Sequence, residues 1–333
     1  MAYKGIVVGF ALLLTFPSRT AQGQGDEERA VQSVSRVELL GLSASKTSKL
    51  QEMLGTHDYI AAETLLLSEI ATDPHPTRKV RLLDFIGAIY FLDHDYLNAA
   101  VAWTKSEAIT PLDPQVRFSL AMAYIRIGHS DWATGVLKSL AAQNETQPIY
   151  AYWLGRLNYD GHLYNDAILN FKTAIRLAPG MARAYDSLGL CYYFLNQNAQ
   201  AIDSYNRAIE LDRKSHHPNA WPYLDLAATL MFLNRTGEAE RNLLMAIKLD
   251  PKIPSAHFRL GNILERKGQT TAAISQFQEA AHLDPDYAEP HFALGRLYRR
   301  LGDNSDSQKE IREYMRIRAS SAGGAPSTVR TQQ

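Results

Sequence analysis

The sequence predicts an all-α fold, a solenoid of antiparallel helix pairs, on three observations. Small and large residues recur together every 34 positions. Within each recurrence they fall at helical spacing in two separate groups. Glycine or Asp-Tyr sequences part the two groups, and proline closes the second.

The frame is set by residues 148–181, numbered from 1. Leu154 and Gly155 take positions 7 and 8, Ala167 takes 20, Phe171 takes 24, Ala174 takes 27 and Pro179 takes 32. The next unit, 182–215, has Leu188, Gly189, Tyr192, Ala201, Tyr205 and Ala208 at positions 7, 8, 11, 20, 24 and 27. In 220–253 the set is Leu226, Ala227, Leu230, Ala239, Leu243, Ala246 and Pro251; in 254–287 it is Leu260, Gly261, Leu264, Ala273, Phe277, Ala280 and Pro285. The frame runs back through 114–147 (Leu120, Ala121, Tyr124, Ala133, Leu137) and 80–113 (Gly87, Tyr90, Ala99, Trp103, Pro111). Positions 4, 7, 8 and 11 form one face of a first helix, and 20, 24 and 27 one face of a second. Gly or Ala at 8 and 20 lets two backbones approach, and the large residues fill what remains. Gly128, Gly161, Gly268 and Gly302 sit where the first helix ends and the chain reverses. Proline at 32 ends the second helix because it has no N–H for the ladder.

The ends deviate from the frame. Unit 43–76 keeps Ala62 and Pro74 but carries Lys46, Lys49 and Glu52, a polar outer face for a stack. Unit 288–318 keeps Leu294, Gly295 and Tyr298, puts Ser307 at position 20 and has Ile311, Tyr314 and Met315 as its buried stripe. Residues 77–79 and 216–219 (His216-His217-Pro218-Asn219) read as short insertions, 24–42 as a mixed, partly helical linker and 319–333 as a disordered tail. Residues 1–23 have a signal-peptide pattern: Lys4, an apolar run from Ile6 to Phe16, and Ala21-Gln22-Gly23 for cleavage. That pattern predicts a secreted or periplasmic chain starting near Gln24, with no stable membrane insertion after cleavage, the run being shorter than the roughly 20 residues of a span.

These residues at this period resemble the tetratricopeptide repeat family, over residues 43–318. The resemblance implies a right-handed α-solenoid whose first helices line a concave face, and a role in binding proteins.

Positions 2, 5, 9 and 12 lie beside the packed face of each first helix. There they carry Phe118, Met122, Tyr152, Tyr159, Tyr193, Trp221, Leu224, Met231, Phe258 and Phe292. This strip is either a groove for an extended peptide or amphipathic helix, or packing between neighbouring first helices, or a seat for the chain's own linker. The groove reading predicts that Tyr152→Ala with Trp221→Ala abolishes capture of a partner and leaves melting nearly unchanged. At its C-terminal end the strip turns basic, with Arg259, Arg266, Arg296, Arg299 and Arg300, suited to an acidic segment or a solvated face. The lysine–asparagine clamp of some relatives is not carried over, since position 5 holds no lysine in units 80–113 to 288–318.

Lys plus Arg and Asp plus Glu are 35 each, so no global field draws the chain to nucleic acid. The one cysteine, Cys191, excludes an intramolecular disulfide and sits at a small core position. His94, His129 and His162 lie along one edge as turn residues, and no metal or cofactor is expected. No phosphate loop, dinucleotide glycine pattern or nucleophile elbow is present. The expectation is a non-catalytic protein–protein interaction scaffold in the cell envelope. The alternative is a carrier or chaperone for an apolar ligand or peptide held by the aromatic strip.

Overall fold

The computed structural model describes residues 37–72, 75–213 and 218–323. The expected signal peptide, the start of the linker, Pro74, the His216-His217 pair and the tail beyond 323 lie outside them. The described residues are helical throughout, with no strand among them. They form two compact units divided between Glu145 and Thr146.

In the first unit, α1 (Ala44–Gly55), α2 (Tyr59–Thr72), α3 (Pro76–Leu92), α4 (Tyr96–Glu107), α5 (Pro114–Arg126) and α6 (Ser130–Gln143) form three pairs. In the second, five pairs run α7 (Pro148–Asp160), α8 (Tyr164–Leu177), α9 (Ala182–Phe194), α10 (Asn198–Asp212), α11 (Trp221–Phe232), α12 (Thr236–Leu249), α13 (Pro254–Arg266), α14 (Thr270–Leu283), α15 (Ala288–Leu301) and α16 (Asn304–Gly323). Within each unit a helix packs on its pair-mate, and the second helix of a pair packs on the first helix of the next. Pro76, Pro114, Pro148 and Pro254 each open a first helix, where the missing N–H costs nothing and the fixed φ is already helical.

One backbone device turns every pair. Position 15 is left-handed in all eight: His57, His94, Gly128, His162, Asn196, Asn234, Gly268 and Gly302, with φ from 58° to 84°. Gly161 caps α7 where the chain reverses, as expected, but is not itself the left-handed residue. It keeps φ at −81°, and His162 takes the strained conformation one residue later. A β-carbon in that region costs about 1–2 kcal/mol. A histidine tolerates it here because Nδ1 of His162 lies 3.0 Å from the Tyr164 hydroxyl, and His94 repeats the contact with Tyr96 at 2.8 Å. We expect His162→Gly to stabilise the second unit by about 0.5–1 kcal/mol, the relieved strain outweighing the extra freedom glycine gives the unfolded chain. An unchanged or lower urea midpoint contradicts this.

The core sits between pair-mates, where position 8 meets position 24. A β-carbon on Gly155 would stand 2.7 Å from the Phe171 ring, and one on Gly189 2.6 Å from the Tyr205 ring. Gly87 faces Trp103 and Gly261 faces Phe277 in the same way. In 114–147 and 220–253 the frame instead places alanine at 8 and leucine at 24, Ala121 with Leu137 and Ala227 with Leu243, all buried. The two volumes trade against each other, as close packing demands.

The ends add four features to the frame. Residues 77–79, the expected insertion, form an added first turn of α3. That turn brings Arg78 to buried Glu69, which also pairs with Lys46; Lys46, burial and Arg78 act on the carboxyl in that order of size, burial in opposition, and leave it below the usual carboxylate range. Arg78 further donates to the Gly41 carbonyl at 3.3 Å and Arg81 to that of Leu39 at 3.2 Å, so the end of the expected linker, Val37–Leu40, is a docked 3-10 turn. At the other end Ile311 and Tyr314 of the expected stripe are half-buried, Ile311 against Gly295, while Met315 is exposed and Ile317 is buried instead. Ser307 replaces alanine because its hydroxyl donates to the Gly295 carbonyl at 2.7 Å. The ladder of α16 continues past 318 to Gly323, since Ala319-Ser320-Ser321-Ala322 contains no breaker.

Candidate functional site

The strip foreseen beside the packed face divides by burial. In the first unit Phe118 and Met122 are buried on α5. In the second, Tyr152, Tyr159 and Leu224 are buried; Tyr193, Trp221, Met231 and Phe258 are half-buried; and Phe292 is 50% exposed. The physical cause is visible around Tyr152. Its ring meets Phe171 of its own pair at 5.9 Å, and the Arg183 guanidinium of the next first helix covers it at 4.5 Å from the centroid. Position 5 thus packs under position 2 of the following repeat. For Phe118, Met122, Tyr152, Tyr159 and Leu224 the expectation of an open groove is corrected to core packing. Phe258 is likewise flanked, by Phe277 at 5.7 Å and Tyr287 at 5.2 Å.

What stays open lies one residue further on, at positions 12 and 13, where each first helix ends. Phe194 is 44% exposed although it stacks on Tyr164 (5.1 Å, 4°) and meets Tyr159 edge-on at 5.9 Å. Phe232, at the same position of α11, is 59% exposed. Sequence reasoning missed both, because only positions 2, 5, 9 and 12 were considered. Their recurrence at position 13 was the available signal.

The basic end belongs to the same edge. Arg266 closes α13, and Arg299 and Arg300 stand in the last turn of α15, all exposed. Arg296 and Arg300 both reach Glu265 of α13, Arg300 at 3.5 Å. Arg259 is half-buried near Tyr287, whose hydroxyl burial pushes well above the usual phenol range against the pull of Arg259. Cations in these last turns also suit the helix dipole, an effect of about 0.3–1 kcal/mol each at an exposed site.

Other reactive groups are accounted for by structure. Burial pushes the Cys191 thiol up to about 12, with Arg156 opposing weakly, which leaves no thiolate at neutral pH. His129 stacks on Trp132 at 4.2 Å. His257 places Nε2 2.9 Å from the Pro251 carbonyl, which only accepts, so that nitrogen carries the proton. His291 donates from Nδ1 to Glu310 at 2.7 Å. His257 through Gln276, 2.8 Å from its Nδ1, and His291 through Glu310 are position-4 side chains tied to position 23, a core device. Among the described residues no group of three His, Cys, Asp or Glu side chains is placed to hold a metal ion.

Family models described as tetratricopeptide repeat match residues 182–215 and 224–288. The BBSome complex member BBS4 of Xenopus tropicalis is 30% identical over 135 residues, 40% of this chain and 25% of that protein. The DnaJ homolog subfamily C member 7 homolog of Dictyostelium discoideum is 24% identical over 178 residues, 50% of this chain and 33% of that protein. The chain thus spans about a quarter to a third of the length of these relatives. A tetratricopeptide repeat protein structure from Parabacteroides merdae superimposes with a TM-score of 0.60 at 14% identity, over 85% of this chain and 99% of that one, a likeness of fold. The chain carries tetratricopeptide repeats, a fold that generally serves as a protein-interaction scaffold.

Proposed function

We propose that this protein is a non-catalytic scaffold of the cell envelope that holds a peptide or helix of a partner protein on the first helices of its second unit. One observation carries the reading. Packing accounts for positions 5, 8 and 24, yet large side chains remain turned outward at the first-helix ends: Tyr193 and Met231 half-buried, Phe194 and Phe232 exposed. Large apolar side chains exposed at the same place in successive repeats suit an interaction surface. A relative named as a complex member agrees with it. The envelope assignment rests on the signal pattern of residues 1–23, and no helix among the described residues is long and apolar enough to cross a membrane.

The test places a photo-crosslinking side chain at Tyr193 or Met231 of chain 24–333, and at exposed Leu169 on α8 as a control, in an envelope extract of the source organism. A short, reproducible set of envelope proteins from Tyr193 and Met231 but not from Leu169 is the expected result. The same indiscriminate set from all three sites, or none from any, removes the scaffold reading and moves weight to a carrier for an apolar ligand.

A further inference from the structure

The open edge of the second unit has an order that a general binding surface lacks. Position 13 of successive first helices holds Asp160, Phe194, Phe232, Arg266 and Arg300. Contacts join neighbouring repeats near its two ends. Tyr159 at position 12 of α7 meets Phe194 at position 13 of α9, and Glu265 at position 12 of α13 meets Arg300 at position 13 of α15. The middle of the row is apolar and exposed. One end is basic: Arg296 and Arg300 reach Glu265, and Arg266 and Arg299 stand in the last turns of α13 and α15. Among the described residues no ion pair is recorded for Arg266 or Arg299. The opposite end carries the acidic Asp160, 3.9 Å from Arg156 of the same helix.

We propose that this edge binds an extended peptide segment in which two apolar residues are followed, along the edge, by two carboxylates. The proposal rests on the scaffold reading above and names the chemistry of its partner. Apolar side chains seat on Phe194 and Phe232, and the carboxylates meet Arg266 and the Arg299–Arg300 pair. Arginine suits this, offering forked contacts to a carboxylate.

Geometry fixes the spacing. First helices of neighbouring repeats stand about 10 Å apart, and an extended chain advances about 3.3 Å per residue. Each repeat therefore spans about three residues. The matching pattern has apolar residues at the first and fourth places and carboxylates at the seventh and tenth.

The probes are fluorescein-labelled decapeptides with Phe at places 1 and 4, Glu at 7 and 10, and Ser elsewhere, made in both chain directions. Anisotropy against chain 24–333 is expected to show one direction binding about tenfold tighter than its Glu→Lys counterpart, and weakening with salt. Arg266→Glu with Arg299→Glu should reduce that affinity by about tenfold or more. Phe232→Ser should lower it without changing the salt dependence. Helicity and melting are checked in parallel; if the double reversal disturbs the fold, Arg299→Gln replaces it, with a smaller loss expected. Equal binding of the Lys peptide, a scrambled peptide binding as well, no binding in either direction, or tighter binding of oligo-dT overturns the proposal. Its failure is distinguishable from failure of the scaffold reading. Crosslinks from Tyr193 and Met231 that persist in the Arg266→Glu/Arg299→Glu chain leave a scaffold standing with this chemistry wrong. Their absence in the unaltered chain removes both.

Discussion

Tyr152→Ala is expected to destabilise the second unit by about 3–5 kcal/mol, the loss measured when a large buried ring is truncated. The side chain is only 2% exposed and among the largest that the core encloses completely. Phe171 loses its partner within the pair, and the Arg183 guanidinium loses the ring face it covers. Stability in such an array is close to a sum of repeat and neighbour-interface contributions. The damage should therefore be local: amide exchange should accelerate most in α7 to α10 and least in α15 and α16. Trp221→Ala removes a half-buried ring and should cost less. This reverses the expectation that the pair of changes spares melting. Unchanged melting in Tyr152→Ala would return Tyr152 to the surface and restore the groove at position 5.

The contrast shows what one sequence makes legible. Helix existence, pairing and the close approach at Gly155 or Gly189 are written in the 34-residue spacing, because each follows from local periodicity and volume. Which flank of a first helix meets the next repeat depends on the rotation between successive pairs, and no single residue encodes that angle. Position 5 was placed on the open flank and lies on the closed one, with Arg183 laid over Tyr152. The reversal after α7 misled for a different reason. Gly161 is the residue with the permissive backbone, but the register of the turn gives the left-handed place to His162. The sister turn built on His94 contained the clue, since it lacks glycine altogether. Phe194 and Phe232 were legible in principle, as two phenylalanines at one frame position in successive repeats.

Gly155→Ala should destabilise, although alanine is the better helix former by about 0.8–1.0 kcal/mol. The new β-carbon would stand 2.7 Å from the Phe171 ring, inside van der Waals contact. Ring and backbone are both enclosed, so the core must shift, and overpacking of this kind costs about 1–3 kcal/mol. Phe171→Leu alone leaves space above a glycine and should also destabilise. Together they rebuild the combination that buried Ala121 with Leu137, and Ala227 with Leu243, already represent in this chain. The double variant should therefore lie above the sum of the single effects by about 1–2 kcal/mol, a coupling within the range for residues in contact. Urea midpoints of the four proteins close the cycle. Additive effects would mean that the glycine is kept for some reason other than the aromatic ring it faces.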